Sequence, residues 1–122
     1  MDTALLDALI QRCDTEQMTD AALAPFLGMV SREAFCDIFS RRVALEYAAG
    51  RLSFDVADAA MNRLWEYAYL GDEAFIPAYA REVFEAFDEG EFHHACDPPG
   101  TDPEQKYTRP LILDLVARER LE

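Results

Sequence analysis

The chain has 122 residues, with 24 acidic and 11 basic side chains and a net charge of −13. That balance repels nucleic acid and anionic membrane and draws in basic partners. At 51% hydrophobic it is too apolar for a disordered acidic tail, and no apolar run nears the ~20 residues of a membrane-spanning helix. One helical domain over residues 1–122, large enough to bury a core without a staple, is expected. The start, Met1-Asp2-Thr3-Ala4-Leu5-Leu6, has no basic stretch and an early acid, unlike a secretory signal. Cys13, Cys36 and Cys96 are odd in number and widely spaced. Free thiols in a reducing compartment follow, and a cytoplasmic location is the expectation.

The elements read as helices throughout. Residues 3–13 place Leu5, Leu6, Leu9 and Ile10 on one side of a first helix. Asp20 is a candidate cap for a short second helix, limited by Pro25 and Gly28. Ser31 reads as the N-cap of a third, with Glu33 favourable in its first turn. Phe35, Ile38, Phe39, Val43 and Tyr47 recur at three and four until Gly50 stops it, and Arg41 and Arg42 sit mid-helix, placed for surface ion pairs. Ser53 caps a fourth helix whose stripe is Phe54, Ala57, Met61, Leu64, Trp65 and Ala68, with Gly71 past its end. Asp72 and Glu73 lead into a fifth, with Pro77 near its first turn. Ile76, Tyr79, Ala80, Val83, Phe84 and Phe87 form its inner face; Gly90 ends it, and Phe92 is placed to pack back on the final turn. Residues 93–102, with Pro98-Pro99-Gly100, form a stiff extended loop. Asp102-Pro103-Glu104 has the form of a cap before a turn, which hands over at Thr108-Arg109-Pro110 to a last helix carrying Leu111, Ile112, Leu115 and Val116. The fold expected is all-α, a bundle of five or six helices packed as antiparallel hairpins around one core.

Charge is concentrated in the second half. Between Asp72 and Glu104 lie ten carboxylates against one basic residue, Arg81, a net −9 in 33 residues. If Val83, Phe84 and Phe87 face inward, Glu82, Glu85 and Asp88 or Glu89 share the outer face. Like charges at that spacing oppose the helix by a few tenths of a kcal/mol each. A helix that keeps them does so for solubility or for a cationic partner.

Other chemistry is weaker. His93, His94, Cys96 and Asp97 offer four donor types within five residues, near Glu89 and Glu91, and zinc accepts such donors. The usual paired spacing is absent, because the chain has no second Cys/His cluster. The single Glu-x-x-His, Glu91 to His94, follows a helix end, whereas carboxylate di-metal bundles need two inward-facing copies. No metal and no cofactor is expected. Cys96 beside His94 lacks the electropositive surroundings of a thiolate nucleophile, and no nucleophile elbow or glycine-rich phosphate loop occurs. Asp55 and Asp58, nearly one turn apart, do not read as a catalytic dyad, and Asp58 is expected to be partly exposed or paired with Arg51 or Arg63. An enzyme is not expected. Trp65 reads as core. Tyr67 and Tyr69 are about 200° apart on a helix, so at least one reaches the surface, with Tyr69 the candidate.

The stretches 54–62 and 84–91 have a bacterial cast without carrying a family motif. Small acidic helical proteins include many immunity proteins, which neutralise toxins by plugging a basic active site; the likeness is one of size and charge alone. The expectation is an immunity or antitoxin-type inhibitor that captures a basic protein through Glu82, Glu85, Asp88, Glu89 and Glu91 and then buries an aromatic, Tyr69 or Phe92. The alternatives are a structural or adaptor module that self-associates, and an acidic mimic of nucleic acid that competes for a DNA-binding protein.

Overall fold

The structure, a computed structural model, describes residues 2–69 and 76–121. Six α-helices follow in order: α1 (Thr3–Arg12), α2 (Ala24–Leu27), α3 (Arg32–Ala48), α4 (Phe54–Ala68), α5 (Ala78–Glu89) and α6 (Arg109–Leu121). A π-helical turn, Glu104–Thr108, runs directly into α6. Among the described residues there is no strand, as an all-α chain requires. Gly71, Asp72 and Glu73, expected to end one helix and begin the next, lie outside the described residues.

Local chemistry sets most helix starts. Ser31 accepts from the Ala34 amide at 3.1 Å and Ser53 from the Val56 amide at 3.2 Å. Each satisfies an amide that has no carbonyl partner in the first turn. Asp2 does the same for α1, accepting from the Ala4 amide at 2.9 Å. Between α3 and α4 the chain reverses through Gly50 at φ +80°, a conformation that favours glycine. One expectation needs correction here. Asp20 caps nothing: α2 starts without a side-chain cap, and Asp20 instead holds the Arg32 guanidinium at 2.9 Å and the Tyr67 hydroxyl at 2.5 Å. Pro77 lies beside the first turn of α5, as expected, at the N-cap. The last helix starts at Arg109, within the 108–110 handover expected, and the turn before it is π-helical. Asp102 accepts from the Glu104 amide at 3.0 Å, and the chain is helical from there. The Arg109 amide reaches back five residues to the Glu104 carbonyl. That wider turn eases the fit of Pro110, which has no N–H for the Lys106 carbonyl and would crowd it in a regular α-turn.

α3 lies at the centre, touching α4, α5 and α6; α1 covers α4, and α2 packs on α3. Cross-contacts fix the directions. Phe54 meets Phe87 and Trp65 stacks on Phe84 at 4.0 Å, so α4 and α5 are antiparallel. Arg41 reaches Glu119 and Tyr47 reaches Glu104, so α3 and α6 are antiparallel too. Phe35, Phe39, Val43, Met61, Leu64, Val83, Phe87 and Ile112 are buried at the centre, each large side chain stabilising the fold by roughly 1.5–3 kcal/mol over exposure. Leu5, expected on the inner face of α1, is 50% exposed. Trp65 is only half-buried, because the positions facing inward on α4 are Ala57, Ala60, Met61, Leu64, Tyr67 and Ala68.

Charges that enter the interior are paired. Buried Glu46 takes Arg51 and, at 3.0 Å, Arg42; Arg42 also holds Asp7 of α1 at 2.8 Å. Arg41 pairs with Asp37 at 2.9 Å, so both mid-helix arginines of α3 make the ion pairs expected of them. Among the described residues, no buried side-chain nitrogen or oxygen lacks a hydrogen-bond partner. No helix among them is long and apolar enough to cross a membrane.

Candidate functional site

Two helical stripes of identical spacing face each other across α5 and α6. Glu82, Glu85, Ala86 and Glu89 come from α5; Leu111, Asp114, Leu115 and Arg118 come from α6, and Tyr107 of the π turn closes one end. Positions 0, 3, 4 and 7 share one face of a helix, so each stripe extends about 10 Å along its axis. The helices run antiparallel: Glu82 lies beside Arg118 at one end, and Thr108 donates to the Ala86 carbonyl at 2.7 Å towards the other. Between them is a groove of about 330 Å³, at the small end of ligand-sized clefts. Its floor is apolar, from Ala86, Leu111, Leu115 and the Tyr107 ring; its rims carry Glu82, Glu85, Glu89 and Asp114. Leu111 is 45% exposed there.

Arg118 is the one basic residue of the lining. It spans the groove, 3.4 Å from Glu82 and 3.4 Å from Asp114, and is about half-exposed. Glu89 is held at the far end: His94 Nε2 lies 3.1 Å from its carboxylate and 2.9 Å from its carbonyl. Both are acceptors, so Nε2 carries the hydrogen. Among the described residues no ion pair reaches Glu85 or Asp88.

The carboxylates read together from the sequence are thus divided. Glu82, Glu85 and Glu89 line the groove; Asp88 and Glu91 turn towards α4. There the Asn62 amide donates to Asp58 at 3.4 Å and to Glu91 at 3.3 Å. Asp58 is half-buried among acids, and among the described residues no arginine pairs with it: Arg51 is taken by Glu46, and Arg63 by the Cys13 carbonyl and Glu66. Burial, then the neighbouring Glu91, Asp88 and Asp55 charges, push the Asp58 carboxyl up to about 7. Of the two expectations for Asp58, partial exposure holds, and in place of an arginine its carboxyl meets that of Glu91.

The two aromatics lie apart. Tyr69, 41% exposed, tilts against Trp65 at 4.5 Å and accepts from Arg81 at 3.5 Å, on the α4 side. Phe92 is 50% exposed; it stacks on His94 at 4.5 Å, and His94 in turn meets Tyr107 at 4.0 Å. That row of rings continues the groove beyond Glu89.

The four donors of the 93–97 loop do not converge. His93 bonds the Pro98 carbonyl at 3.0 Å, His94 bonds Glu89, Cys96 is exposed, and buried Asp97 is held by Lys106 and by the Tyr107 hydroxyl at 2.7 Å. These partners hold the Asp97 carboxyl below its ordinary range and tie the loop to the π turn. Among the described residues no group of three or more His, Cys, Asp or Glu is placed to hold a metal ion. Cys13 and Cys36 are buried, which pushes their thiols up to about 11 and about 12, well into the protonated range.

The groove residues of α6 were missed in the sequence. Leu111 and Leu115 read only as apolar residues of the last helix, and Asp114 and Arg118 carry no reading at all. The available signal was the repetition of the 0, 3, 4, 7 spacing in both helices. No protein-family model, curated protein or solved structure matches the chain.

Proposed function

We propose that this chain is a non-catalytic binding protein that occludes a basic surface or active site of a partner protein, in the manner of immunity and antitoxin proteins. The observation that carries the reading is the groove side of α5, where Glu82 and Glu85 are exposed and border a cleft with an apolar floor. Long-range attraction to such a face raises the rate of encounter, and apolar contact at the floor slows departure. Phe92 at the end of the ring row, or Tyr69 on the α4 side, supplies the aromatic to be buried, a residue type enriched at interface centres. Asp88 and Glu91 extend the acidic field beyond the groove.

The test is capture from lysate on the immobilised chain, washed at low and then high salt, beside a second bait carrying Glu82→Lys, Glu85→Lys and Glu89→Lys. A basic protein released by salt and retained only by the unaltered bait supports the reading. The same proteins on both baits would overturn it.

A second reading, self-association, is favoured by a small apolar hollow of about 170 Å³ where Leu113 and Ala117 of α6 meet Leu45 and Ala48 of α3. Sedimentation separates the two, since an inhibitor of this kind is monomeric alone and an obligate oligomer is not.

A further inference from the structure

We infer that the α5/α6 groove seats a basic amphipathic segment of the partner, and that Arg118 is an internal cation which that segment displaces. The inference rests on the binding reading above and specifies where and what the site takes. Four carboxylates on the rims against one guanidinium leave the cleft short of positive charge, so its occupant carries lysine or arginine. The floor of Ala86, Leu111, Leu115 and Tyr107 calls for an aliphatic side chain on the same segment. The length of the stripes, about 10 Å, matches two turns of helix, which would present apolar residues one turn apart between flanking cations.

Arg118 already occupies the cationic position. Its contacts with Glu82 and Asp114, both at 3.4 Å, the first half-exposed and the second more open still, are the loose kind that contribute little to stability. An incoming cation can therefore replace it at small cost. Arg118 swings out, and Glu82 and Asp114 change partner. The residue then acts as a threshold: only a segment that also fills the apolar floor gains enough to displace it.

The experiment uses two short fluorescein-labelled peptides of equal positive charge. One carries two leucines four residues apart among its lysines; the other has serines in their place. Binding is measured by anisotropy at low salt on the full chain. The expected result is that the leucine peptide binds at least about tenfold more tightly. Leu111→Ser, at an exposed site where the fold tolerates it, should remove most of that preference. Arg118→Gln should tighten the leucine peptide about two- to fivefold, the range of a loose surface pair, while Arg12→Gln on α1 should change it far less.

Equal binding of both peptides, with Leu111→Ser without effect, would overturn the groove and leave the basic-partner reading intact. So would no binding of either peptide by a chain that still captures a basic protein. An Arg118→Gln variant that binds no better than Arg12→Gln would overturn the displacement role. The binding reading itself fails separately, in the lysate capture.

Discussion

At Gly90 the end of α5 passes so close to the π turn that a side chain has no room. A Cβ there would lie 2.1 Å from the Thr108 hydroxyl and 3.0 Å from the Phe54 ring. Thr108 is fully buried and donates to the Ala86 carbonyl, so it cannot swing aside without stranding that acceptor. Gly90→Ala should lower stability by about 1–3 kcal/mol, read as a drop in urea midpoint with unchanged slope. An unaltered midpoint would mean the two segments are not this close. The sequence marks Gly90 as a helix stop; it says nothing of Thr108, which arrives from the far side of the 93–102 loop. Asp58 teaches the same lesson. Its folded carboxyl is raised from 3.8 to about 7, so the folded state holds this proton more tightly than the unfolded chain. Stability from the group is therefore full below about pH 4, falls as pH rises to about 7, and is flat above. Asp58→Asn should match the unaltered protein at low pH and exceed it at pH 8 by on the order of 1 kcal/mol, a figure reduced because the group is half open to water. Thermal melts across that range check it, and a variant less stable at pH 8 would contradict the buried-acid picture. The partner that matters, Glu91, is on another element, and spacing within α4 cannot reveal it.

Elements were legible wherever their signals are local. Ser31 and Ser53 accept from the amides three residues on, and Gly50 supplies the left-handed turn between α3 and α4; each needs only its immediate neighbours. Ser53→Ala should cost about 1 kcal/mol and Ser53→Asp almost nothing, measured by urea unfolding; equal losses in both would show that the cap is not what holds the start of α4. Where a residue is claimed by a distant partner, the local reading failed. Asp20 has the chemistry of a cap, yet Arg32 and Tyr67 take it. Leu5 shares the spacing of Leu6 and Leu9 but faces solvent, because α1 lies on α4 by a narrow strip. The handover at Thr108-Arg109-Pro110 is met, with α6 starting at Arg109, but the π geometry of the turn before it has no local mark.

For the molecule as a whole, the all-α bundle and its antiparallel neighbours followed from amphipathic spacing and short connections, since each apolar face must find another. The acidic character of α5 was equally plain. The groove was not, because it exists only where α6 returns along α5, and periodicity does not tell which helices become neighbours. That return sets Asp114 opposite the α5 acids, adds an apolar floor, and leaves Arg118 alone among carboxylates. A net charge of −13 favours the approach of a basic protein, and in the function proposed the groove is where that approach becomes contact. The measurement that tests this most directly is the association rate of the captured partner at rising ionic strength, for the chain and for its Glu82→Lys, Glu85→Lys, Glu89→Lys variant. An association rate that falls about tenfold or more with salt, starts far lower in the variant and leaves helix content unchanged is the result expected. A rate indifferent to salt and to the three substitutions would contradict electrostatic capture by this face.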